Sequence, residues 1–240
     1  MVKRKTAIAI RKTHRYLGLF LGIQFIFWTV SGLYFSWTDI DAIHGDHFRQ
    51  LPPKRPTYSG LLPPVFPEGL GVYSLELRSV AGKPHYWVND SLLIDAATGE
   101  RRSGITAAEA RAVAADHMRE DLQVISVEHI TEFGPHHEYR GRPLPAYVFT
   151  YDHPEAIKAY VSIADGRFQT VRYRSWRWFD FLWMTHTMDY QGRDNFNTTL
   201  LRAFSLLGLI TVISGFVLWG VSSPRLRKAA QLQASNTSES

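Results

Sequence analysis

The chain has 240 residues, no cysteine, a net charge of +5 and a mean hydropathy of −0.17. The length admits one medium domain plus membrane segments, and the hydropathy excludes a polytopic bundle, since two apolar segments are diluted by roughly 160 residues of soluble composition. Without cysteine there are no disulfides, thiolate zinc sites, iron–sulfur clusters or covalent c-type haem attachment; b-type haem, which needs only histidines, remains open.

Residues 1–15 form a basic terminus with Lys3, Arg4, Lys5, Arg11, Lys12 and Arg15. An apolar segment follows over 16–37 and a second over 200–220. Each is about 20 residues long, enough to cross a ~30 Å hydrocarbon core as a helix. The first is too long for a signal-peptide core and no small-x-small site follows Trp37, so it reads as an uncleaved helix. Gly18 and Gly22 form a small-xxx-small pattern that either lets helices approach closely or is simple tolerance of glycine. Gln24, Thr29 and Ser31 are polar within this helix. Val30-Ser31-Gly32-Leu33 resembles Ile213-Ser214-Gly215-Phe216 of the second helix, and these small residues mark a candidate packing point. Arg225, Arg227 and Lys228 follow in a tail over 221–240. Short basic flanks stay in the cytoplasm, so both termini are expected inside and the intervening loop outside. The basic ends suit anionic lipid; they lack the interleaved aromatics of a nucleic-acid platform, and no nucleic-acid partner is expected.

Residues 38–71 read as a connector, proline-rich and without periodicity from Leu51 to Pro67. Strands are expected at 72–80, 85–89 and 92–95, within a region 72–105, with a turn over Ala96–Glu100. Thr106-Ala107-Ala108-Glu109 is a capping box opening a helix over about 107–119. Strands over 123–131, 145–151, 158–163 and 168–173 follow, the last two joined by an Asp165-Gly166 hairpin turn. A helix ahead of an antiparallel meander implies an α+β domain over 106–175, with the helix packed on one sheet face. Residues 176–199 open with dense aromatics, which suit either an interfacial membrane helix or an ordinary core.

Histidines carry the candidate chemistry. His14 and His186 each lie at the edge of a spanning segment. There an imidazole either finds a partner, haem iron being one, or snorkels to the headgroups and binds nothing. With His14 inside, His186 outside and ~35 Å of helix between His14 and Trp37, the two cannot share an iron. His44 and His47 follow the first helix by 7 and 10 residues and are candidates to meet His186 over an outer haem. A C₂ homodimer would bring His14 to its symmetry mate through the Gly18/Gly22 face. His136-His137-Glu138 is a weaker metal candidate, and surface solvation is the plainer reading. No His-Glu-x-x-His, Gly-x-Ser-x-Gly or phosphate-binding glycine loop is present.

Four stretches, in order, resemble the PepSY-associated transmembrane family of bacterial inner-membrane proteins: His14-Arg15-Tyr16-Leu17-Gly18-Leu19 with Ser31-Gly32; Ile94-Asp95-Ala96-Ala97-Thr98-Gly99-Glu100; Arg142-Pro143-Leu144-Pro145-Ala146-Tyr147-Val148-Phe149; and Leu182-Trp183-Met184-Thr185-His186-Thr187-Met188-Asp189-Tyr190 with Ser214-Gly215. The resemblance implies a membrane protein of α+β class, with two transmembrane helices flanking a periplasmic PepSY-like domain and a partial copy ahead of it. It also implies a link to iron uptake, because larger members include siderophore-iron reductases with haem b held by membrane histidines. Those members usually have four or more helices, so this two-helix chain is expected to work as a homodimer or larger membrane assembly. Two functions follow as expectations: electron transfer through haem b to a ferric chelate, and a non-enzymatic module that binds a periplasmic peptide or protein.

Overall fold

The computed structural model describes residues 4–50 and 56–223, so the Arg225, Arg227 and Lys228 flank and the start of the proline-rich connector lie outside the described residues. The chain divides into two units. One combines residues up to 36 with those from 182 onward; the other holds 37–181.

The first unit is helical. Helix α1 spans Arg4–Trp37 and α5 spans Thr199–Ser222. Both are long and apolar enough to cross a membrane. α1 begins twelve residues before the expected Tyr16. Lys, Ala, Ile and Arg are good helix formers, and nothing between Arg4 and the apolar stretch breaks the helix. At the other end Thr198 caps α5, its hydroxyl accepting the Leu201 N–H at 3.1 Å. Among the described residues, Gly18 and Gly22 take no part in a close approach between helices, whereas Gly208 does. A Cβ built on Gly18 or Gly22 would meet nothing within 4 Å, whereas one on Gly208 would lie 3.1 Å from Phe25. The open pair leaves a bare stripe on α1.

The second unit carries two four-stranded antiparallel sheets. β1 (Leu75–Val80), β2 (Lys83–Val88), β3 (Leu92–Asp95) and β4 (Arg101–Arg102) form the first, in that order. β5 (Val124–Ile130), β6 (Ala146–Tyr151), β7 (Lys158–Ser162) and β8 (Phe168–Arg172) form the second. Helix α3 (Ala107–His117) lies between them in sequence and packs on β6, β7 and β8. Its Ala110, Val113 and Ala114 face Phe149, Ala159, Val161 and Val171, and the same core takes Val80, Trp87 and Leu93 from the first sheet. Strand alternation puts Ala146, Val148 and Tyr160 on the opposite face, beneath Tyr139.

A folded piece was not legible as such in the connector. α2 (Ile40–His44) and a 3-10 turn (Asp46–Phe48) insert Ile43 and Phe48 into the core. Asp39 caps α2, and Gly45 ends it at φ +82°, where a Cβ would press within 3.1 Å of Val171. Residues 56–67 contain no helix or strand.

The capping box at α3 is complete, with Glu109 accepting the Thr106 N–H at 2.8 Å and Thr106 accepting the Glu109 N–H at 3.3 Å. Arg102 on β4 adds a bidentate pair to the Glu109 carboxylate at 2.6 and 2.7 Å. Hydrogen bonding by Arg102 outweighs burial and holds the Glu109 carboxyl down at about 2. A depressed carboxylate contributes stability that is fully present above its ordinary value of 4.5 and is lost as pH falls through about 2. Acid titration is therefore expected to cost about 2–3 kcal/mol across that window. In Glu109→Gln, denaturation curves should lose that slope; an unchanged slope would remove Glu109 from the acid response.

Candidate functional site

The site is built in the helical unit, at two levels of α1. Toward its C-terminal end, Gln24, Trp28 and Ser31 are spaced i, i+4, i+7 and so share one face. Helix α4 (Arg174–Thr187) ends against that face. The last carbonyls of a helix have no partner within it. Here Gln24 Nε2 donates to the Thr185 carbonyl at 3.2 Å, and Trp28 Nε1 donates to the His186 carbonyl at 2.8 Å. The clamp brings the His186 ring onto Ser31, with Nδ1 2.7 Å from Ser31 Oγ. Phe35 meets the ring edge-on at 5.6 Å, and Trp183 in turn meets Phe35 edge-on at 5.7 Å. Gly32, next to the serine, leaves room: a Cβ there would sit 3.9 Å from His186 Cε1.

The second level repeats this arrangement with the helices exchanged. His14 of α1 reaches across to α5, placing Nδ1 2.7 Å from Ser214 Oγ. The adjacent Gly215 is a tight fit, since a Cβ would lie 3.2 Å from His14 Cε1. The Ser-Gly dipeptides that mark a packing point in the sequence are thus the floors on which the two histidines rest. In both rings Nε2 has no hydrogen-bond partner among the described residues.

Seventeen residues separate His14 from Ser31, so the two imidazoles stand about 25 Å apart along α1. This is shorter than the distance to Trp37, because His186 docks at Ser31 rather than beyond the end of α1. It is still far beyond the reach of one iron.

The loop after α4 is organised by Asp189, which is 4% exposed. Its carboxylate accepts the N–H groups of Gln191 (3.3 Å), Gly192 (3.1 Å) and Asn195 (2.8 Å). Burial pushes the Asp189 carboxyl up, but these amides outweigh it and hold it below the usual carboxylate range. The loop carries the chain from His186 to α5.

His44 and His47 belong to the other unit. His44 closes α2 and is exposed. His47 is exposed but packs its ring on Phe48 at 4.0 Å and Tyr173 at 5.3 Å. The His136-His137-Glu138 run is not a metal cluster. Glu138 turns inward, accepting from Tyr160 (2.7 Å) and Arg177 (2.6 Å), while His137 stacks on Phe133. Among the described residues no three His, Asp or Glu side chains converge to hold a metal ion. His14 and His186 each stand singly, with one ring nitrogen held by a protein hydroxyl and the other left over, which is the chemistry of a lone nitrogen donor.

Sequence reading missed Gln24 and Trp28 as the clamp and the two serines as the histidines' partners. The usable signal was the 24/28/31 stripe, three hydrogen-bonding side chains at helical spacing in a largely apolar span.

Against known protein families, the profile described as "PepSY-associated TM region" matches residues 11–238. No curated protein and no solved structure matches the chain significantly.

Proposed function

We propose that this chain, which belongs to the PepSY-associated TM family, is an electron-transfer component that works through b-type haem and serves the reduction of a periplasmic ferric chelate. The observation that carries the reading is the pair of imidazoles about 25 Å apart, each docked on a Ser-Gly floor with Nε2 unclaimed. His14 would hold one haem toward the inner face of a bacterial inner membrane and His186 a second toward the outer face. Lys5, Arg11, Lys12 and Arg15 around the His14 end support an inward orientation, with both termini cytoplasmic and the PepSY-like body periplasmic. When bound, haem supplies the one-electron chemistry. The residues would bind and orient it: each serine steadies one ring, Phe35, backed by Trp183, covers the His186 ring, and the α1 clamp sets the height of that ring. His14 and His186 would each supply one nitrogen, and any further donor would come from a second copy or a larger assembly, a reading that the open Gly18/Gly22 positions support.

A colour test decides the matter. Detergent-solubilised protein, purified and sized in solution, is expected to show a Soret band that shifts on adding dithionite, in an assembly larger than one chain. A colourless preparation from haem-replete cells would sink the proposal. It would favour the second reading, a peptide-binding module, for which β1 is suited as an edge strand with Leu75 and Leu77 each 48% exposed.

A further inference from the structure

The two histidine–serine contacts share a detail that decides which nitrogen each ring presents. A serine hydroxyl has one hydrogen to give and two lone pairs to receive with. Ser31 Oγ lies 2.6 Å from the Phe27 carbonyl, four residues back on α1. Ser214 Oγ lies 2.7 Å from the Thr211 carbonyl, three residues back on α5. A carbonyl oxygen cannot donate, and two oxygens that close without a hydrogen between them would repel. Each hydroxyl hydrogen is therefore committed to its own helix, and toward the imidazole each serine can only accept. Nδ1 of His14 and of His186 must then carry the proton. In the neutral ring the lone pair is left on Nε2.

We infer that Ser31 and Ser214 are positioning residues that lock both histidines in the Nδ1–H form, so that Nε2 is a fixed lone-pair donor at each level. The lock is local: a helical serine donating to the preceding turn is a weak distortion on its own, but here it turns the hydroxyl into an acceptor aimed across to the histidine-bearing helix. The neighbouring glycine completes it. With Nδ1 on the serine and Cε1 over Gly32 or Gly215, Nε2 is the next atom round the ring.

The two locks occupy equivalent places in the chain. Ser31 follows His14 by 17 residues and Ser214 follows His186 by 28; the excess of 11 equals the length of the loop between α4 and α5, residues 188–198. A His…Ser-Gly unit thus occurs twice, with each spanning helix providing the floor for the histidine of the other unit.

Toward haem, the inference rests on the proposed function; as a statement about tautomers, it stands without it. The test uses the full chain in detergent, labelled with 15N-histidine and free of haem, with the two rings assigned by single His→Gln variants. In the wild type, both rings should show a protonated Nδ1 and an unprotonated Nε2. Ser31→Ala should lower the ratio of Nδ1–H to Nε2–H at His186 about tenfold, the worth of one part-buried hydrogen bond, and leave His14 as it was. Ser214→Ala should do the converse, and Ser→Thr at either place should restore the wild-type ratio. The unaffected ring reports that the fold survives. Rings that keep their wild-type tautomers in both alanine variants, or a wild type protonated at Nε2, would overturn the inference. Locked tautomers in a protein that never takes up haem would leave the inference standing and defeat the function proposed above.

Discussion

His186→Ala is expected to abolish one of two haem signals and leave the other unchanged, while His14→Ala does the reverse and the double variant is colourless. If each imidazole holds a haem as proposed, each loss should lower pigment content at its own level by more than about tenfold, since the substitution would remove a nitrogen donor rather than a packing contact. Two sites about 25 Å apart with no shared residue should respond additively. Neither substitution attacks the scaffold. Ser31 and Ser214 keep their bonds to Phe27 and Thr211, so no hydroxyl is orphaned. The end of α4 stays clamped, because Gln24 and Trp28 hold backbone carbonyls and not the imidazole. Reduced-minus-oxidised spectra, scaled to protein mass, measure the outcome. If one substitution removed all the pigment, the two-site arrangement would be wrong; if neither changed the spectrum, both histidines would leave the ligand list.

Asp165→Ala should cost the second unit about 3 kcal/mol of stability. Arg78 Nη1 reaches Asp165 Oδ2 at 2.9 Å, and the side chains are only 9% and 11% exposed. The pair ties β1 of the first sheet to the β7–β8 turn of the second, and the guanidinium stacks over Trp87 at 5.0 Å. Removing the acid strands a buried cation. The compensation left is Glu76, at 2.7 Å but 47% exposed and shared with Arg167. The turn also loses the Asp165 Oδ1 that accepts the Arg167 N–H at 3.2 Å. Gly166 of the same turn packs against β1, since at φ +68° a Cβ there would approach Val80 within 2.7 Å. Chemical denaturation of the intact protein, followed by tryptophan fluorescence, gives the loss. Pairing Asp165→Ala with Arg78→Met should recover much of it, because the cost comes from the uncompensated charge. A single-variant loss under about 0.5 kcal/mol would mean that the pair is solvated and does not join the sheets.

Much of this molecule could be read from local patterns, because local physics makes those choices. The two apolar spans follow from length and composition. β3 appears at its expected residues, and the other long strands fall within a few residues of theirs, because alternation and turn residues act over a few positions. The α3 start was visible as Thr106 and Glu109, since a capping box is satisfied within one helical turn. The family was visible in four ordered stretches, and the two histidines and two Ser-Gly dipeptides were each noticeable alone.

What the linear pattern could not decide was which of these meet. That His14 rests on Ser214 and His186 on Ser31 joins residues 200 and 155 positions apart, and no local propensity encodes such a pairing. The same holds for α2, whose place in the core depends on Val171 and Tyr173 being there to receive Gly45 and the Ala42 carbonyl. By itself the sequence determined the two apolar spans, the α3 start and the long strands, because there backbone conformation answers to neighbouring side chains and to the polarity of the medium. Only the tertiary structure decided which nitrogen of each imidazole is held and which is left free, because that choice belongs to a hydroxyl on a different helix, oriented by its own backbone.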